Sequence, residues 1–343
     1  MRGLLWSCSG GLAVLALQWF ARRLGEYIYS RGTLRGRPED ATGFEGEELA
    51  AGTYVVTDKE GGAFVRLTWG RTFYTFLRGV GTGRPVLVCV HGLGGESSVF
   101  YASNRSRLAE ELLGAGYDVL TFDLYGHGFS EGPDLQEYSA ELFASQLAEL
   151  LVRLDLQCKF DLLSHSFGGP ITTLFAARFP NRVRRLVLLA PVYGSSMSAS
   201  QASLLRIFAL PVIFRFVVER AKPMGQGANR DNAAWGRTFL NTFRTIVKSE
   251  YKTGAAAFND KRFGGQELLA SLPRDISISI ISGDHDTDVH VDALRALVKE
   301  LEGMPVTLDV VEGAGHVTYF DGPDAAEHGA VMRKLVLRRL PRV

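Results

Sequence analysis

The apolar positions along the chain fall into two rhythms, short continuous runs and longer amphipathic stretches, which alternate from residue 53 onwards. The short runs are Thr53–Thr57, Phe64–Trp69, Phe73–Leu77, Val86–Val90, Val119–Phe122, Phe160–Leu163, Val183–Leu189, Ile276–Ile281 and Val306–Val311. Several are apolar and β-branched throughout, which predicts strands buried on both faces of a parallel sheet. Helical spacing separates the later ones, for example over Ser139–Leu154, Gly169–Phe179, Val291–Leu301 and Ala325–Leu340. The first strands instead have short glycine-containing connections, Gly61-Gly62 and Gly70-Arg71, which suit hairpins. An antiparallel start that becomes a strand–helix series predicts an α/β fold, a mostly parallel twisted sheet flanked by helices.

Two stretches break this rhythm. Between Pro191 and Pro273 there are amphipathic segments but no convincing central strand, and Leu204–Val218 is almost wholly apolar, interrupted by Arg206, Pro211 and Arg215. An insertion between two sheet strands, about 192–272, predicts a helical cap over the strand ends. The other break is at the N-terminus, where no charged residue stands between Arg2 and Arg22. A helix of that length covers roughly 28 Å, close to the hydrocarbon thickness of a bilayer. Trp6, Trp19 and Phe20 lie near its ends as interfacial aromatics do, and Arg22 and Arg23 close it. Residues 1–29 therefore read as an uncleaved signal anchor, a cleaved signal peptide or an organelle-targeting helix. The lack of a small-x-small site before the arginines favours a retained single anchor and membrane association. A buried globular helix fits less well, because the run is apolar on every face. Residues 30–50, rich in Gly, Arg and Glu, read as a linker, leaving 51–343 for the α/β domain.

Composition adds exclusions. With 343 residues, 46% hydrophobic and 22% charged, the chain can bury a large core. A formal net charge of +1 leaves no electrostatic footprint for nucleic acid. Cys8, Cys89 and Cys158 are scattered, with neither metal-ligand spacing nor a disulfide framework.

The chemistry concentrates in four places. In Leu162-Leu-Ser-His-Ser-Phe-Gly-Gly169 an apolar strand runs into Ser-x-Ser-x-Gly-Gly and then a helix. This is the pattern of a nucleophile elbow, a sharp strand-to-helix turn that lifts the Ser166 hydroxyl clear of the sheet. Close packing there demands small residues two before and two after, met by Ser164 and Gly168. A serine hydroxyl needs a base to accept its proton. His316, in Glu312-Gly-Ala-Gly-His316 just past a strand, is the preferred base over His285 and His290, which follow the preceding strand, and over His328 in a helix expected at the surface. The supporting acid comes from Gly283-Asp-His-Asp-Thr-Asp288, where Asp284, Asp286 and Asp288 compete and aspartates also suit turns and caps. Resemblance to α/β-hydrolases, in which the third residue after the glycine faces the histidine, implies Asp286. Two backbone N–H groups must face the tetrahedral oxygen. Phe167 follows the nucleophile, and Leu93 lies in the glycine-rich turn His91-Gly-Leu-Gly-Gly95. That turn lacks the Lys-Ser/Thr of a P-loop and the G-x-G-x-x-G spacing. No metal or organic cofactor is called for.

These motifs, in this order, resemble those of the α/β-hydrolase superfamily over roughly residues 53–343. Phe122-Asp-Leu-Tyr-Gly-His-Gly-Phe-Ser130 is similar to the family's D-x-x-G-x-G-x-S turn, which implies a structural role for Asp123 and Ser130. Serine at position 166 argues against the relatives that use an aspartate nucleophile. The finer resemblance is to monoacylglycerol-lipase-like lipid-ester hydrolases, with Ser166, His316 and Asp286 as the triad. Two features of the chain lean the same way, an apolar cap in which Ile207, Phe208, Leu210, Val212, Ile213, Phe214 and Phe216 would line an acyl pocket, and the N-terminal segment. The motifs look equally like serine peptidases of the prolyl-aminopeptidase type, for which Glu219 or Glu250 would recognise a free amino terminus. A non-catalytic scaffold is the third alternative.

Overall fold

The computed structural model describes residues 46–49, 53–56, 62–93, 95–101, 107–131, 140–193, 265–316 and 325–340. The N-terminal apolar run, the Leu204–Val218 run and both candidate glutamates therefore lie outside the described residues. Among the described residues no helix is long and apolar enough to cross a membrane.

A ten-stranded sheet forms the frame. In chain order its strands are β1 (Gly46–Leu49), β2 (Thr53–Val56), β3 (Gly62–Leu67), β4 (Gly70–Leu77), β5 (Val86–Val90), β6 (Asp118–Phe122), β7 (Phe160–His165), β8 (Val183–Leu189), β9 (Ser277–Gly283) and β10 (Val306–Val311). Their spatial order is β1-β2-β3-β4-β6-β5-β7-β8-β9-β10. The pairs from β1 to β4, and β4 with β6, are antiparallel, and every pair beyond is parallel. The expected α/β architecture is thus present. Between strands run α1 (Leu108–Gly114), α2 (Ala140–Arg153), α3 (Gly168–Arg178), α4 (Gly265–Ala270) and α5 (Val291–Glu300), and α6 (Ala325–Arg339) follows β10.

The central strands bury both faces, and alternate residues serve two cores. Val88, Leu120, Leu162, Leu186 and Ile278 point to the side holding Phe143 and Leu147 of α2, Ile171 and Phe175 of α3 and Leu294 of α5. Leu87, Cys89, Val119, Leu163, Val187 and Ile281 point to the other side, with Leu108 and Leu112 of α1 and Met332 and Val336 of α6. Each such fully buried side chain stabilises the fold by about 1.5–3 kcal/mol. The Cys89 thiol is buried among them.

Two boundaries differ from the sequence expectation. The sheet begins inside the stretch read as a linker, because Gly46–Leu49 pairs with β2. Its sequence, Gly-Glu-Glu-Leu, has too little apolar content to announce a strand, and backbone pairing with a neighbour supplies what side chains do not. The β3–β4 turn falls at Thr68-Trp69, just before the expected Gly70-Arg71.

The strand order has a functional consequence. β5 leads on to β6 on one side and β7 leads on to β8 on the other, so the chain segments leaving the carboxyl ends of these two paired strands part in opposite directions. In open α/β sheets such a switch point leaves a crevice where ligands bind. The β5–turn segment and the Ser166 turn both open onto it.

Candidate active site

Ser166 follows β7 directly and precedes α3, with φ at +53°, the left-handed region that a non-glycine residue adopts at a cost. Three backbone bonds hold it there. Ser166 N–H donates to the Leu189 carbonyl at 2.8 Å, and the Ser166 carbonyl accepts from Gly169 at 2.9 Å and Val192 at 3.2 Å. The demand for small neighbours is visible in the packing. A methyl group on Gly168 would lie 2.6 Å from the Val90 carbonyl oxygen and 2.9 Å from that of His91. Ser164, where glycine is commoner, uses its hydroxyl: its Oγ is 2.9 Å from Thr172 Oγ1. Thr172 donates to the Gly168 and Gly169 carbonyls, so Ser164 is the donor in that pair and ties strand to helix.

The structure brings Ser166, His316 and Asp286 into one hydrogen-bonded row. His316 Nε2 lies 2.8 Å from Ser166 Oγ, and His316 Nδ1 lies 2.8 Å from Asp286 Oδ2. Asp286 Oδ1 accepts from the backbone N–H groups of Asp288 (2.9 Å) and Val289 (2.7 Å). Burial alone would raise the Asp286 pKa, but the bond to His316, its charge and those two amides hold it below the usual carboxylate value. The ionised carboxylate accepts a hydrogen bond from His316 Nδ1–H, and that tautomer leaves Nε2 free of hydrogen and able to accept from the Ser166 hydroxyl.

The other candidates fall elsewhere. Asp284 accepts from the Gly313 N–H at 2.7 Å, joining the acid-bearing loop to the histidine-bearing loop. Asp288, His285 and His290 are exposed. Asp288 lies close enough to Asp286 and His316 for the three to offer ligand atoms to one ion, but two of them are already engaged with each other. His328 is half-buried on α6 with its Nδ1 shielded, not at the surface as its helical setting suggested.

Phe167 directly follows the serine, and Leu93 lies in the turn that follows β5. Phe167 is buried against Phe143 at 5.7 Å between ring centroids. The His91–Gly95 turn presses on the elbow, since a methyl group on Gly92 would lie 2.8 Å from Ser166 Cβ. Behind it, His91 Nδ1–H donates to the Gly92 carbonyl at 2.7 Å while Nε2 accepts from the Leu124 N–H at 3.0 Å, which defines a neutral tautomer. Asp123 supports the same region. Its carboxylate accepts from the Ser97 (2.7 Å) and Phe129 (2.8 Å) amides, and Ser130 Oγ donates to its carbonyl. Asp123 and Ser130 thus brace the turns beside the site and do not reach Ser166.

Three buried imidazoles surround this arrangement: His91, His127 and His165. Burial pushes His127 down to about 4 and His165 to about 3, and it holds His91 well below 6.5. As pH falls below about 6.5, the unfolded chain takes up protons that these folded sites refuse, so stability must drop. Asp123 works in the opposite sense, its pKa raised to about 7 by burial and by the neighbouring Glu96. Its contribution is present in acid and fades as pH rises towards 7. Three histidines against one aspartate give a net loss, so the melting temperature is expected to decline steadily from pH 6.5 to pH 4. A flat thermal profile across that interval would contradict this assignment of neutral histidines.

Comparison with known proteins agrees with the architecture. Residues 85–227 match the family described as alpha/beta hydrolase fold. The chain is 41% identical over 118 residues to 2-hydroxy-6-oxo-2,4-heptadienoate hydrolase of Pseudomonas putida, covering 34% of this chain and 41% of that one. It is 33% identical over 108 residues to Lipase 3 of a Moraxella species, 32% of each chain. The chain therefore spans less than half the length of both curated relatives. A carboxylesterase structure from Nitrososphaera gargenis superposes with a TM-score of 0.60 at 19% identity, over 80% of this chain and 98% of the other.

Proposed function

We propose that this hydrolase, which has the α/β-hydrolase fold, cleaves carboxylic esters of acyl lipids through Ser166 and a covalent acyl-enzyme. The observation that carries the reading is the row Ser166 Oγ–His316 Nε2, His316 Nδ1–Asp286 Oδ2, each step 2.8 Å. Ser166 Oγ attacks the ester carbonyl while His316 Nε2 takes its proton. The N–H groups of Phe167 and Leu93 stabilise the oxyanion, and the N-terminal end of α3 adds its positive dipole. His316 returns the proton to the leaving alcohol. Water, deprotonated by the same nitrogen, then attacks the acyl carbonyl, and Ser166 Oγ leaves with the proton. Asp286 keeps the imidazole in one tautomer and offsets its positive charge.

Acyl lipid as the substrate class is supported by the apolar Leu204–Val218 run and by the uncharged N-terminal segment, which would hold the enzyme at a membrane. Relatives named lipase and lysophospholipase point the same way.

The test offers purified full-length protein p-nitrophenyl esters from acetyl to palmitoyl, a monoacylglycerol, a lysophospholipid and a prolyl-amide peptide. Preferred hydrolysis of long-chain esters, with flotation of the protein on phosphatidylcholine vesicles, is the expected result. Peptide turnover alone would replace the ester reading with a peptidase, and turnover of none would leave a scaffold. Protein that stays at the bottom of the gradient would remove the membrane half.

A further inference from the structure

Between the two serines of the elbow stands His165, a position that the Ser-x-Ser-x-Gly pattern leaves open. Its ring is buried and packs on the base, with the His165 and His316 ring centroids 5.0 Å apart and inclined by 42°. His165 Nε2 lies 2.9 Å from the His316 carbonyl oxygen. A carbonyl only accepts, so that nitrogen carries the hydrogen. On the other side, a methyl group on Gly92 would come within 3.1 Å of His165 Nδ1. One imidazole thus touches the glycine-rich turn, the nucleophile elbow and the histidine loop.

The histidine loop has two kinds of tether. His285 N–H donates to the Ala314 carbonyl at 3.0 Å and Gly313 N–H to Asp284, and these bind it to the acid loop. Two other bonds reach the elbow: His316 Nε2 to Ser166 Oγ, and His165 to the His316 carbonyl. Only one of that pair can last through a turnover. Once Ser166 Oγ is esterified it has no hydrogen to give, and the first bond is gone. The bond from His165 uses a backbone oxygen that takes no part in the chemistry. It is available when His316 must accept a proton from water.

We propose that His165 is a positioning residue for the second half of the reaction, holding His316 against the elbow while the acyl group occupies Ser166. The inference rests on the Ser166 reading above. In the deacylation step, water's oxygen bonds to the acyl carbon, its proton goes to His316 Nε2, and the acyl–Oγ bond breaks as that proton passes to Ser166. A displaced imidazole slows this step more than the first, in which the Ser166 hydroxyl itself orients the ring. Burial and the neighbouring His316 lower the His165 pKa to about 3, so the ring is neutral throughout the working range and places no competing cation beside the imidazolium.

The experiment separates the two half-reactions on p-nitrophenyl butyrate by stopped flow, using wild type, His165→Phe and His165→Gln. Phenylalanine fills the ring's space without a donor, and glutamine restores one. A misplacement of the base by about 1 Å costs roughly 10²-fold. Deacylation in His165→Phe is accordingly expected to slow by about 10- to 100-fold, with acylation changed far less, and His165→Gln should recover most of the loss. Melting temperatures confirm that each variant is folded, and His165→Met replaces the phenylalanine variant should that one fail. Unchanged deacylation in the donor-less variant, equal slowing of both steps, or a folded glutamine variant as slow as phenylalanine would each overturn the proposal. Full turnover by Ser166→Ala would instead sink the Ser166 reading itself.

Discussion

Ser166→Ala is expected to lower ester turnover by about 10⁴-fold or more, because in the proposed mechanism it removes the atom that would form the acyl-enzyme. The change deletes one hydroxyl oxygen. The backbone bonds from Ser166 to Leu189, Gly169 and Val192 do not involve the side chain, so the left-handed turn and the sheet around it should persist. The variant should therefore bind substrate and melt near the wild-type temperature while failing to release p-nitrophenol. The measurement is steady-state hydrolysis alongside a thermal melt. Retention of even a tenth of wild-type turnover by the purified variant would remove Ser166 from the mechanism.

Asp286→Asn is expected to be nearly as severe, about 10⁴-fold in kcat. The amide keeps the shape and an acceptor for the Asp288 and Val289 N–H groups, so the loop should stay folded. What changes is the partner of His316. An amide NH₂ facing Nδ1 drives the proton to Nε2, where it blocks acceptance from Ser166. The same substitution at Asp288, which is exposed and holds no such bond to His316, should leave turnover within about twofold. At Asp284 the asparagine oxygen still accepts from Gly313, so a small effect is expected there too. A loss at Asp288 comparable with that at Asp286 would reassign the acid.

Much of this arrangement is legible in the chain itself, for identifiable reasons. Strands buried on both faces must be apolar at every position, so β5, β7, β8 and β9 stand out as uninterrupted runs. The elbow is legible because its sterics admit few residues at 164 and 168. The choice among three aspartates comes from the family resemblance, in which the third residue after the glycine faces the histidine, and in the structure Asp286 makes the bond to His316 while Asp284 accepts from Gly313. Legibility fails where the cause is non-local. β1 contains two glutamates and owes its conformation to the backbone of β2. His165 looks like filler within a motif, since its partner is a carbonyl 151 residues away. His127 is similar: a histidine between two glycines reads as a loop residue, yet it is buried, with its Nε2 unpartnered.

Gly283 ends β9 where the histidine loop passes so close that any side chain there would overlap the Ala314 carbonyl. Together with the His285–Ala314 and Gly313–Asp284 bonds, that contact makes the acid-bearing and base-bearing loops a single mechanical part. Aligning three groups then reduces to aligning two bodies across one gap, with one distance to regulate instead of three. Thermal motion of the sheet can shift that joint part relative to the elbow without disturbing the carboxylate–imidazole geometry inside it. Errors in the site are thereby confined to the seam at which Ser166 and His165 meet His316.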